Sequence, residues 1–276
     1  GQLDLIGGSN PVYGLNTIGG ALTVATQTGF SYEGADVSYT VGDFDTRDYT
    51  ALYGANNGTW GVFVAIDGME EEGWRDFSDS EADTAYGAIS WRGEATEIDA
   101  FFNYGDSRLK GNGSVPIDLL NERRSAVFTH PDQTENKLKM ASLSLRHAFS
   151  SNSELSGTLF FRELETSTFN GDGSEYEECG EDDDDIIDMD DDGDDDDAHP
   201  FSGFLCNDDD QPVADKAGGL VDEDFNAINN RSNREQESYG ATLQWRTAFD
   251  ALGVGHNAIV GLDYFKGKTR FRSTVE

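Results

Sequence analysis

The sequence predicts an all-β fold, an antiparallel transmembrane β-barrel present in part as about nine strands. Three observations predict it. Hydropathy alternates with period two from about residue 34 onward, so each segment has one apolar face and one small or polar face. The segments run to about ten residues or more, longer than the usual strands of soluble sheets and right for a tilted strand crossing a bilayer. The links between them alternate short and long, as do the tight turns and long loops on the two sides of a membrane barrel.

In chain order, the first strand covers 34–42, and a short link at 43–46 joins it to the second at 47–56. In the second, Tyr49, Ala51, Tyr53 and Ala55 alternate with Thr50 and Gly54. A short link at 57–58 leads to the third strand, 60–69, and a long one at 70–82 to the fourth, 83–92. After the short link 93–96 comes 97–108, where Ile98, Ala100, Phe102 and Tyr104 alternate with Asp99 and Asn103. The long link 109–137 precedes 138–149, in which Ala141, Leu143, Leu145 and Phe149 alternate with Ser142, Ser144 and Arg146. A short link at 150–153 gives the seventh strand, 154–167, followed by the longest loop. The eighth strand, 234–248, sets Tyr239, Ala241, Leu243 and Trp245 against Gly240, Thr242, Gln244 and Arg246. The ninth, 257–272, does the same with Ala258, Val260, Leu262 and Tyr264. Trp60, Trp91 and Trp245 lie beside short turns, as an interfacial girdle would, whereas Trp74 sits in a long loop. A soluble β-sandwich is the competing architecture; strand length and loop asymmetry count against it. No apolar run is long enough for a transmembrane helix.

Of 276 residues, 54 are acidic and 19 are Lys or Arg, for a formal net charge of −35. Such a chain excludes nucleic acid as a partner, because phosphate binding needs a basic face. An aromatic content of 11% rules out simple acidic disorder. Much of the acid is concentrated around the first of the chain's two cysteines: positions 172–197 hold 17 carboxylates and no Lys or Arg. Burying unpaired carboxylates costs several kcal/mol each, so the run must lie in water, in a loop. Cys179 and Cys206 bracket its densest part, which implies a disulfide-closed loop in an oxidising compartment. A bridge across a loop of that size contributes roughly 3–4 kcal/mol by restricting the unfolded chain.

The opening residues read differently. Gly7-Gly8-Ser9-Asn10-Pro11-Val12-Tyr13-Gly14, then Gly19-Gly20 and a short strand to Thr26, form a glycine-rich turn region that permits positive φ and close backbone approach. Asn10, Pro11, Tyr13, Gly14, Gly19 and Gly20 together resemble the end of the plug domain of TonB-dependent outer-membrane receptors. In that family a Gly/Pro turn, Tyr-Gly, Gly-Gly and a strand ending in Thr and a basic residue follow one another; here Gln27 replaces the basic residue. The likeness continues through Asn57-Gly58-Thr59-Trp60-Gly61, Glu72-Gly73-Trp74-Arg75-Asp76 and Phe128-Thr129-His130-Pro131-Asp132. It implies that 1–30 are the C-terminal end of a plug and 31–276 the N-terminal part of the barrel, with a long acidic extracellular loop at about 168–233. It further implies a receptor in the outer-membrane lipid of a Gram-negative bacterium, driven by the TonB complex, that takes up a scarce ligand, most often a ferric siderophore. The TonB box, most of the plug and the remaining strands are not in the chain, so the expectation is a fragment that does not transport by itself. A passive porin-like or adhesive outer-membrane barrel is the alternative, and the sequence upstream of Gly1 discriminates.

Within the acidic run, Asp188, Asp190 and Asp192 followed by Gly193 match the first half of an EF-hand loop, with Asp194 and Asp196 at its seventh and ninth positions. His199 stands where the bidentate Glu belongs, and no flanking helices are evident. The expectation is therefore weak Ca²⁺ binding or diffuse counterions, and no required cofactor. A zinc site from Cys179, His199 and Cys206 matches no known spacing. Arg123 and Arg124, with Arg108 and Lys110, form a basic spot in a long loop. Guanidinium forks onto carboxylate or catecholate oxygens, which makes Arg123 and Arg124 candidate ligand contacts. Nearby Asp106, Asp118 and Glu122 offer plain charge balance instead. No nucleophile elbow, P-loop or dinucleotide fingerprint is present, so no enzyme is expected.

Overall fold

Alternation of side chains along each segment becomes, in a computed structural model, the two faces of one curved sheet. The structure describes residues 2–7, 19–111, 113–174, 176–180, 200–207, 209, 211–214, 217–222 and 227–275. At the start, β1 (Gln2–Gly7) and β2 (Gly20–Ala25) pair as a small antiparallel sheet. Next come β3 (Gly34–Val41), β4 (Arg47–Asn56), β5 (Trp60–Glu71), β6 (Ser80–Arg92) and β7 (Thr96–Lys110). A short helix, α1 (Ile117–Glu122), precedes β8 (Asp132–Ser150) and β9 (Ser153–Gly173). Two-residue strands β10 (Glu177–Glu178) and β11 (Leu205–Cys206) pair with one another, and β12 (Ala227–Ala251) and β13 (Val254–Val275) close the chain's order.

The nine long strands form one antiparallel meander, β13-β12-β9-β8-β7-β6-β5-β4-β3. Each strand pairs with the next long strand in sequence, as hairpin connections dictate. Register aligns the outward apolar residues into rows. One row runs Ala100, Leu143, Leu159, Ala241, Tyr264. Another runs Ile98, Leu145, Gly157, Leu243, Leu262. Leu143, Leu145, Leu159, Leu243, Leu262 and Tyr264 in these rows are exposed, Leu159 at 55% and Leu262 at 71%, and the other members are half-buried. A continuous exposed apolar band is a liability in water and matches the solvent in lipid. Trp60 faces Trp91 across the sheet at its short-turn edge, and Trp245 lies at the same edge. Tyr39 faces Tyr49 at the opposite edge, where Tyr104, Tyr239 and Tyr264 also lie. Such amphipathic rings belong at membrane–water boundaries.

The inward face carries the small core. Phe63, Ala88 and Ser90 are buried there. Tyr32 meets Phe63 edge-on at 5.5 Å, and Phe63 meets Tyr86 at 5.8 Å. The segment 26–33 lies on this face. Tyr86 Oη donates to the Gln27 carbonyl at 2.9 Å, and Asn56 Nδ2 to the Gly29 carbonyl at 2.9 Å and to Glu33. The Arg92 guanidinium sits 5.0 Å over the Phe30 ring and forks onto Asp99 at 2.8 and 3.1 Å. Close approach needs glycine: a Cβ on Gly54 would collide with the Tyr32 carbonyl, and one on Gly61 would stand 2.8 Å from the Phe30 ring.

Nine long strands are present, as the alternation predicts, but their outer ends run further. The seventh reaches Gly173 instead of 167, the eighth begins at Ala227 instead of 234, and the sixth begins at Asp132 instead of 138. The long acidic loop expected at 168–233 therefore narrows to 174–226. The physical reason is that both faces of these extensions meet water, so pairing persists where hydropathy no longer alternates. Helix α1 and strand β1 are likewise additions, each only six residues long.

Candidate functional site

Two long loops at the outer end of the sheet are knitted together. The first joins β5 to β6 and contains Trp74, Arg75, Asp76, Phe77 and Asp79; the second joins β7 to β8 through α1. Asp76 Oδ2 accepts from Arg123 at 2.7 Å, and the Asp76 amide donates to the Ser125 carbonyl at 2.9 Å. Arg75 Nη1 donates to the Gly113 carbonyl at 3.3 Å. Phe77 stacks on His130 with ring centroids 4.0 Å apart. Ala126 is buried at this junction. At the root, Lys110 Nζ bonds Asp79 at 2.6 Å, and Arg108 reaches Glu81 at 3.3 Å and Asp79 at 4.0 Å. The Lys110 hydrogen bond holds the Asp79 carboxyl below its ordinary value, against a smaller opposing effect of burial.

The geometry leaves an aromatic and cationic surface. The Arg75 guanidinium lies 4.9 Å from the Trp74 ring centre and that of Arg124 6.0 Å, both within cation–π range. Trp74, Phe77 and Phe128 are exposed at 47%, 57% and 62%. Trp74 is thus the ring that two loops share, which accounts for its position away from the girdle.

Of the expected contacts, Arg124 joins this surface and Arg123 is spent on Asp76 and on capping α1, its amide donating to Leu119. The partners of the basic spot are Asp76, Asp79 and Glu81 from the neighbouring loop and strand, not Asp106, Asp118 and Glu122 as charge balance in sequence implied. Asp106 instead faces Lys137 at 4.0 Å. Sequence reasoning missed Arg75, Asp76 and Asp79; the signal available was a tryptophan flanked by Arg in the wrong place for a girdle. Gly19 lies just before β2 and Gly20 opens it, opposite Gly7 with φ of 147°. Asn10, Pro11, Tyr13 and Gly14 lie outside the described residues, as do Asp188, Asp190, Asp192, Asp194 and Asp196. Among the described residues, no group of three or more His, Cys, Asp and Glu is placed to hold a metal.

The expected disulfide is present between Cys179 and Cys206, and both cysteines are buried with Leu205. Around it the loop base is folded: the Cys179 amide donates to Phe204, Leu205 to Val221, Val213 to Leu205 and Val221 to Val213, at 2.8–3.0 Å. On the inward face below, Asp99, Ser144, Thr158, Thr242 and Asp263, together with Ile259, line an open groove of about 750 Å³.

An outward apolar band between aromatic edges, an inward face with polar rows and interlocked outer loops define the class: the wall of an outer-membrane-type β-barrel. Solved structures narrow it. The chain resembles the ferric-catecholate import receptor Fiu from E. coli K12, at 13% identity and a TM-score of 0.68, over 97% of this chain and 39% of that one. It resembles the siderophore receptor PiuA from Acinetobacter baumannii at 14% identity and 0.64, over 98% and 35%. It resembles P. aeruginosa FpvA, solved with bound heterologous pyoverdines, at 12% and 0.61, over 97% and 32%. The chain has the fold of TonB-dependent siderophore receptors and spans about a third of their length. These neighbours are transport receptors, not enzymes. No protein-family profile matches the sequence, and no curated protein does.

Proposed function

We propose that this chain is the N-proximal part of a TonB-dependent receptor in the outer membrane of a Gram-negative bacterium. On this reading, residues 1–30 end the plug, 31–276 begin the barrel, and the full-length protein takes up a ferric siderophore with energy from the TonB complex. The observation that carries the reading is the nine-strand meander with its outward apolar band bounded by Trp and Tyr. Two further features support it. Segment 26–33 is pinned to the inner wall, where the last residues before a barrel would enter its lumen. The Trp74, Arg75 and Arg124 surface suits a planar aromatic anion, since ring faces stack and guanidinium binds oxyanions. The test is uptake of radioactive iron as its siderophore by cells deleted for the full-length gene. Loss of uptake, restored by the gene and not by one lacking its TonB-contacting segment, is expected. Unchanged uptake of every ferric siderophore tried overturns the iron assignment, and uptake indifferent to TonB favours a passive porin.

A further inference from the structure

The two ends of the sheet differ in charge as sharply as its two faces differ in hydropathy. In the outer links 42–46, 72–79, 111–131 and 174–226 the Lys and Arg residues are Arg75, Arg123, Arg124 and Lys216, against more than half of the chain's 54 carboxylates. The inner turns 57–59, 93–95, 151–152 and 252–253 hold a single carboxylate, Glu94. A ligand that reaches the Trp74 surface therefore approaches through a negative field.

The carboxylates nearest that surface are fixed there by the backbone. Ser78 Oγ donates to the Arg75 carbonyl at 2.7 Å and to the Glu72 carbonyl at 3.3 Å, so the link folds back on itself. The Glu72 amide donates to the Phe44 carbonyl at 2.9 Å, which ties in the 42–46 turn. At the root, Asp45, Glu70, Glu71, Glu72, Asp79 and Glu81 line an open recess of about 280 Å³. Its cations already face carboxylates: Arg47 lies 3.9 Å from Glu70, Arg108 reaches Glu81 and Asp79, and Lys110 bonds Asp79. Arg123 is held by Asp76. Among the described residues of these links and their roots, Arg75 and Arg124 are the cations that no carboxylate bridges. Both lie against one ring, 4.9 and 6.0 Å from the centre of Trp74. That is provision for the oxygens of one planar chelating arm. Charges act over about 8 Å at physiological ionic strength, so a second anionic arm would meet the carboxylates of the same links, with no free cation to receive it.

We propose that the iron complex received at this surface is uncharged or cationic overall and presents one anionic aromatic arm. Trianionic tris-catecholate complexes are thereby excluded. The proposal rests on the siderophore-receptor reading and names the class of ligand within it. The arm stacks on Trp74 with its oxygens on Arg75 and Arg124. The rest of the complex, free of net negative charge, faces the acidic root.

The test is equilibrium binding of radioactive iron complexes to cells making the full-length protein, with gene-deleted cells as the blank. Three chelates serve as probes. The first is a bis-hydroxamate mono-catecholate with one backbone ammonium, uncharged as its ferric complex. The second is a tris-hydroxamate counterpart without the ring, and the third a trianionic tris-catecholate. The first is expected to bind about tenfold or more tighter than either of the others, and added salt should narrow its lead over the tris-catecholate. Arg75→Gln with Arg124→Gln should lower its affinity about tenfold and leave that of the ringless complex nearly unchanged. Equal or tighter binding of either other probe, a lead over the trianion that salt does not alter, or a double variant that binds the first probe like the wild type overturns the proposal. If the double variant does not reach the cell surface, the three-probe comparison on the wild type decides. Absence of saturable binding for all three probes defeats the siderophore reading itself, whereas saturable binding led by the trianion defeats this inference alone.

Discussion

Trp74 and Gly54 show what single positions contribute. Trp74 holds the two outer loops against one another through Arg75 and Arg124, yet nearly half its surface stays open. On the proposed function, Trp74→Ala in the full-length protein is expected to weaken binding of a ferric siderophore about tenfold or more, in line with loss of an aromatic anchor. Equilibrium binding of the radioactive complex to whole cells measures this, and unchanged affinity would exclude Trp74 from the ligand surface. Gly54 matters for what it lacks, because the Tyr32 carbonyl occupies the place of a Cβ. Gly54→Ala is expected to cost about 1–3 kcal/mol, the usual cost of overfilling a packed contact. It should raise hydrogen exchange across 27–33 while leaving β8 and β9 protected. Little of this was legible in the residues themselves. Gly54 reads as one small residue in an alternating strand, and its constraint comes from a segment 22 positions away. The cysteine pair was legible, because two cysteines allow one bridge and the charge around them required water.

Strands were legible where lipid makes their two faces different and illegible where it does not. Val62, Val64 and Ile66 mark β5 unmistakably, whereas Thr168 and Asn170 in β9 look like loop. Helix α1 could not be foreseen, because six residues after a proline carry too little periodicity. At this scale the link between the outer loops has a pH dependence with a definite sign. The carboxyl of Asp79 is lowered by its bond to Lys110, so its contribution is fully present above the ordinary Asp range. The contribution is lost as pH falls through the lowered value. Exchange protection of 72–80 is therefore expected to be flat from about pH 7 to pH 5 and to fall below about pH 4. Asp79→Asn should reduce protection at neutral pH and flatten the acid response. Reducing the Cys179–Cys206 bridge should raise exchange in 204–206 and 213–221, which rest on that base, with the nine-stranded sheet unchanged.

As a whole molecule, the meander has β3 and β13 as its two edges, each with a row of backbone groups facing outward. Expressed by itself in detergent, this chain is expected to associate through those edges. Sedimentation should show mixed oligomers, and a stable monomer would mean that the sheet closes on itself. The overall architecture was the most legible level, since period, length and loop alternation all express one constraint: every backbone polar group in lipid must be paired. The Trp74 surface was the least legible, because it is assembled from two loops whose sequences carry no pattern in common. One feature of the sheet bears on the acidic run. Strands lengthen from 8 residues in β3 to 25 in β12, so the rim is oblique and its tall side carries the loop at 174–226. From Phe161, at the top of the apolar band, to Gly173 at the end of β9 the chain climbs about 40 Å along the strand. At physiological ionic strength charges are screened over about 8 Å. Asp172, at the end of β9, is therefore screened from the membrane surface, and its field is felt by what arrives from the medium.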